Sequence, residues 1–178
     1  LQETKDASPG GSLPWPSNMW LGNFVAIDAA IDLGRSLLNS FIFTGGVLLG
    51  TLVFGVIAGY ALATLSYRGR GVLFALVLLV QTVPFQLLMV PLYVMTVRTF
   101  GLADTYLGMI LPFAINSTAV LIFRSYFLNL PKDLFNAARI DGAGEVRVLW
   151  SIAIPLVRPA LLTATLLTFI GPWNEFLW

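Results

Sequence analysis

From Phe41 to Leu65 the chain runs for 25 residues without a charged side chain. A helix of that length reaches about 37 Å, more than the roughly 30 Å hydrocarbon core of a bilayer. In lipid every backbone N–H and C=O must be satisfied internally, and a single segment does so only as a helix. The run therefore predicts a tilted membrane span, here bounded at 36–66. Its glycines include Gly46-x3-Gly50 and Gly55-x3-Gly59, a spacing that permits close helix contact. Packing within the chain is the simpler expectation, and a face for a second subunit is the other.

Composition extends the reading to the whole molecule. Apolar residues make up 57% and charged residues 11%, about half the charged fraction of soluble domains. Further apolar segments occupy 72–97, 106–124 and 158–178. The expected fold is an all-α integral membrane protein, a multi-span helical bundle forming one domain over 1–178. Residues 1–35 open with Ser8-Pro9-Gly10-Gly11 and Pro14-Trp15-Pro16, then turn amphipathic from Trp20. Such a segment suits an external or interfacial position, with Trp15 and Trp20 at headgroup level.

Three polar interruptions fall inside the apolar segments. Gln81-Thr82-Val83-Pro84-Phe85-Gln86 breaks the second, Asn116-Ser117-Thr118 with Pro112 breaks the third, and Asn174 lies in the fourth. Polar groups at membrane depth face a cavity or the bundle interior. Gln81, Gln86, Asn116, Ser117, Thr118 and Asn174 are thus candidates for a solute path, with Phe85 as an aromatic face. Bonding between neighbouring helices is the equal alternative for each.

The remaining polar stretch, 130–155, lies between the third and fourth spans. Pro131 suits a helix start, Asp133 the positive end of its dipole and Arg139 the negative end. Gly142 can close that helix in a left-handed conformation. A second helical run follows from Glu145, with Val146, Leu149 and Ala153 at helical spacing, until Pro155 limits it. With four spans, this loop shares a side with Arg68 and Arg70. Seven cations (Arg68, Arg70, Arg124, Lys132, Arg139, Arg147, Arg158) then oppose three (Lys5, Arg35, Arg98), which puts the loop in the cytoplasm.

Several chemistries are excluded. The chain has no His and no Cys, so it lacks the commonest metal ligand, general base and thiol nucleophile. Neither lysine, Lys5 or Lys132, follows a phosphate-cradling glycine loop. No cofactor and no metal is expected, and any energy from ATP has to enter through another subunit. A net charge of +1 suggests no nucleic-acid partner.

The spacing Asn136-Ala137-Ala138, three residues, Gly142, nine residues, Ile152-Ala153-Ile154-Pro155 resembles the coupling loop of ABC-importer membrane subunits, usually E-A-A-x3-G-x9-I-x-L-P. Asn136 stands where that pattern has an acid, and Ile154 where it has Leu. The flanking P-K-D-L-F-N-A-A-R-I-D-G-A and P-L-V-R-P-A, with Trp173-Asn174-Glu175-Phe176-Leu177, resemble the carbohydrate-uptake branch of maltose-type permeases. This resemblance implies a fragment of a six-span permease, lacking one span before Leu1 and about one after Trp178. It implies cytoplasmic ABC ATPase subunits, a second permease subunit and an external solute-binding protein as partners, all in membrane lipid at the bacterial inner membrane. It also implies that Asn136, Ala137, Ala138, Asp141, Gly142, Ile152 and Pro155 form the ATPase-coupling element. The expected activity is import of a carbohydrate or related polyol phosphate by alternating access, with no catalysis by this chain. A permease for polyamines or another small solute, or a membrane scaffold without transport, are the other readings.

Overall fold

The structure is a computed structural model that describes residues 32–175 together with Val25. The interfacial expectations at Trp15 and Trp20, and residues 176–178, lie outside the described residues. The chain divides into two units, Leu1–Phe41 and Ile42–Trp178. In the first, Asp32 sits at φ 48° and its carboxylate accepts the Arg35 N–H at 3.2 Å, starting helix α1 (Leu33–Thr64). That side-chain bond satisfies one of the donors orphaned at a helix start.

Every regular element among the described residues is helical. α1 is the one described helix long and apolar enough to cross a membrane unaided, with a mean hydropathy of 2.2. Two of the other apolar segments, 72–97 and 106–124, are broken, each at a proline. Over 72–97 the chain forms α2 (Arg70–Thr82) and α3 (Phe85–Thr99), bent by 100°. Val83, held extended at φ −85° and ψ 118° ahead of Pro84, makes that corner. Within 106–124, helix α4 (Tyr106–Ile110) stops before Pro112, and α5 (Ser117–Leu128) restarts at Asn116. A straight span over either segment is therefore replaced by two helices.

Two more helices, α6 (Lys132–Ile140) and α7 (Glu145–Leu156), occupy the 130–155 stretch, and α8 (Arg158–Trp173) leaves α7 at 78°. A π-helical turn, Leu149–Ala153, interrupts α7 just ahead of Pro155. The Pro155 ring would crowd the carbonyl four residues back in a regular helix, and widening the turn relieves it.

The core joins five of these elements. Val56, Tyr60 and Ala63 of α1 meet Phe123 and Phe127 of α5, Phe135 and Ala138 of α6, Val148, Leu149 and Ala153 of α7, and Ala160 and Ala164 of α8. By contrast, α2 buries no residue at all, and α3 buries only Thr96. Much of their apolar surface is exposed among the described residues, as at Val72, Leu79, Leu87 and Val90.

Glycines set the α1 interface. A Cβ at Gly50 would stand 2.7 Å from Ala114 Cβ, and one at Gly59 would stand 2.6 Å from Phe123 Cβ and 2.9 Å from the Arg124 backbone nitrogen. Gly46 and Gly55 face Ile110 and Phe123 on the same side, whereas Gly45 faces open space. The paired glycines thus serve packing within the chain. Gly59→Ala forces backbone apart and is expected to destabilise the bundle by about 1–3 kcal/mol. Gly45→Ala should be neutral or slightly stabilising, since Ala favours helix over Gly by up to about 1 kcal/mol. Thermal unfolding of both variants in one detergent checks the contrast.

Candidate functional site

The 130–155 stretch folds as a compact two-helix unit with two unlike faces. α6 ends in a Schellman turn: Gly142 takes φ 83°, its N–H bonds the Arg139 carbonyl at 3.0 Å, and Ala143 N–H reaches the Ala138 carbonyl at 2.9 Å. Asp141 is the half-helical residue before the turn and is exposed. The inner face carries Phe135 and Ala138, with Ile152 packed against the same core. Asn136, Ala137, Gly142 and Pro155 are exposed. Of the two alanines, then, only Ala137 is open to a partner, because Ala138 fills this chain's own core.

Three large apolar side chains project outward from the same unit: Ile140 is 85% exposed, Val146 72% and Trp150 60%. Apolar surface of this kind is a common mark of a docking face. Sequence periodicity had grouped Val146 with Leu149 and Ala153, yet only the last two are buried. A helix this short fixes its phase poorly, and the π turn shifts it further.

One carboxylate holds the unit together. Glu145, the first residue of α7, receives Arg139 Nε at 2.7 Å on Oε1 and Arg139 Nη2 at 3.2 Å on Oε2. Its Oε2 also accepts the Tyr60 hydroxyl of α1 at 2.7 Å. Arg139 Nη1 lies 3.5 Å from Asn136 Oδ1, at the edge of hydrogen bonding. Neither Tyr60 nor Glu145 was singled out from the sequence. Their 85-residue separation leaves no local signal, although a lone acid at a helix start opposite a terminal arginine is a weak one.

The polar residues of the apolar segments come together only in part. Gln81 Nε2 donates to Thr118 Oγ1 at 2.8 Å, linking α2 to α5. Asn116 is spent as the cap of α5, accepting the Thr118 and Ala119 N–H groups at 2.9 and 3.2 Å. Ser117 lines an apolar groove of about 450 Å³ with Leu62, Leu76 and Val80. Phe85 packs on Phe113 at 4.9 Å between centroids, and Gln86 is exposed beside it. Asn174 bonds the Ile170 carbonyl of its own helix at 2.8 Å.

The hydrogen bonds from Arg139 hold the Glu145 carboxyl below the usual carboxylate range; burial opposes the shift and the Tyr60 hydroxyl adds to it. The same pairing raises the Arg139 guanidinium. A depressed folded pKa means that this fastening is complete above the ordinary carboxylate value and is lost as pH falls through the depressed one. With three glutamates in the chain, carboxyl ¹³C NMR after glutamate labelling is expected to give Glu145 a low midpoint. Arg139→Met should return that midpoint toward the ordinary value.

Residues 51–178 match the family described as the binding-protein-dependent transport system inner membrane component. The chain is 37% identical over 164 residues to the arabinooligosaccharides transport system permease protein AraQ of Halalkalibacterium halodurans, covering 92% of this chain and 58% of that protein. It is 34% identical over 145 residues to the sn-glycerol-3-phosphate transport system permease protein UgpE of Yersinia pestis, covering 82% and 51%. A crystal structure of a bacterial ABC transporter involved in the import of the acidic polysaccharide alginate superposes with a TM-score of 0.71 at 33% identity, over 79% of this chain and 49% of that one. The chain thus spans between about half and three fifths of the relatives it matches. With an all-helical fold and a family match over 51–178 that takes in the whole two-helix unit, this chain belongs to the binding-protein-dependent transport system inner membrane components.

Proposed function

We propose that the chain acts as a multi-pass permease subunit of an ATP-driven importer for a carbohydrate or related polyol phosphate. The observation that carries this reading is the two-faced unit at 130–155. Its inner face shares one core with α1, α5 and α8, while Ile140, Val146 and Trp150 point away from that core. A force applied to the outer face therefore reaches three other helices through close-packed side chains. The excess of cations on that side supports a cytoplasmic position, where ATPase subunits can seat on Asn136, Ala137, Asp141 and Gly142. A second permease subunit would cover α2 and α3, and an external binding protein would deliver the solute. To drive alternating access, the ATPases must hold this unit with different affinity in the two states.

Support for the solute class comes from two directions. The relatives are named for arabinooligosaccharides and sn-glycerol-3-phosphate, and the structural neighbour for alginate, all rich in hydroxyl groups. Among the described polar residues of the apolar segments, the Gln81–Thr118 pair offers neutral amide and hydroxyl groups of the kind that bind them.

The deciding experiment reconstitutes the full-length protein with its co-encoded partners in lipid and follows ATP hydrolysis driven by the binding protein. One saccharide or glycerol phosphate is expected to stimulate it. Stimulation by a polyamine alone would discard the sugar, and an assembly that never retains an ATPase would overturn the importer reading. In the same system Gly142→Asp should abolish most uptake. A Cβ there meets no atom within 4 Å, and aspartate, like asparagine, visits the left-handed region, so the loss would come from charge on the docking face. Gly142→Asn, which tolerates that backbone without charge, should keep uptake. Gln81→Ala is expected to raise the transport KM by about 3- to 10-fold, the value of one net hydrogen bond.

A further inference from the structure

We infer that Glu145 is a positioning residue of the transport cycle, and that displacement of the 130–155 unit passes to α1 through its hydrogen bond with Tyr60. This rests on the coupling reading above. Apolar packing alone gives the unit and α1 a shared surface: Tyr60 meets Phe127 edge-on at 5.6 Å and Phe135 at 6.2 Å. Such contacts resist separation but are non-directional, so they allow one helix to slide along another. A 2.7 Å bond from a phenol to a carboxylate is directional and charge-assisted, and it resists sliding.

The geometry makes the carboxylate a three-way junction. Arg139 closes the end of α6 and grips both Glu145 oxygens, which fixes the plane of the carboxylate. Glu145 opens α7, on the far side of the Gly142 turn, so the same grip sets the angle between α6 and α7. Its Oε2 is then aimed at α1, where Tyr60 is 3% exposed. A hydroxyl this enclosed needs its partner, because an unpaired buried donor is unfavourable. Asn136 matters here by what it is not. An acid at that position, one helical turn from Arg139 and already at 3.5 Å through its amide, would compete with Glu145 for the guanidinium.

The test uses the complete transporter in lipid with Tyr60→Phe, Glu145→Gln and the double variant. Tyr60→Phe keeps the ring and its aromatic contacts, so packing is retained while the junction is opened. Expected is an ATPase that still co-purifies in full and still hydrolyses ATP, with solute moved per ATP reduced about 10-fold. The KM for solute should be unchanged, and the double variant should be no worse than Glu145→Gln alone, because that change already opens the junction to which the Tyr60 bond belongs. An unaltered ratio of solute to ATP in both single variants would overturn the inference. Loss of the ATPase from the purified complex would also overturn it, by assigning the residues to docking or folding. Failure of the coupling reading itself would show separately, as unmodified transporter whose ATP hydrolysis ignores the binding protein.

Discussion

The closeness of α1 and α5 is the constraint on which the remaining structure depends. In lipid, apolar surfaces gain little by meeting one another, so helices associate through van der Waals fit rather than the hydrophobic effect. That fit is short-ranged, and half an ångström of separation forfeits much of it. Gly55 and Gly59 remove the side chains that would hold the two helices apart, and Gly50 does the same for the segment before α5 at Ala114. Phe123 can then lie against α1 fully buried, and the groove so formed sets where Tyr60 and Phe127 meet.

A different force acts one layer below. The α6–α7 unit lies on the watery side in this reading, and there burying Phe135, Val148 and Leu149 does bring the hydrophobic effect, about 1.5–3 kcal/mol for each large side chain. The molecule thus has one continuous core held by two mechanisms. Its membrane part depends on shape, and its outer part depends on exclusion of water. Tyr60 sits at the seam, with its ring in the first and its hydroxyl bonded to a charged group of the second.

Much of this was legible from residue order, and the misses share a cause. A charge-free run, glycines at four-residue spacing, and a glycine closing a helix are local signals, and the first span, the close packing and the Schellman turn follow from them. Proline positions showed where the apolar segments weaken. They carried no information on the 100° turn at Val83, because a proline removes a hydrogen bond without choosing the new direction. Val146 went to the face opposite Leu149 and Ala153, with which its spacing grouped it, since short helices leave phase to tertiary contacts. The Tyr60–Glu145 bond is the extreme case. It exists only once two glycine-lined helices and a Schellman turn have each formed, so nothing near either residue announces it.

The π turn at Leu149–Ala153 gives the 130–155 unit an unusual relation to chain length. One extra residue in a helical turn rotates everything before it by about 100° relative to everything after. Val146 lies ahead of that turn and Trp150 within it, while Val157 and Ala160, buried in the core, lie beyond it. Surface segments usually absorb insertions and deletions with little effect. Here a single-residue change in length would swing the outward-facing side chains around the helix axis and carry Val148 and Leu149 out of the core they share with α1, α5 and α8. The count of residues between two prolines, more than their identity, keeps the two sides of this protein in phase.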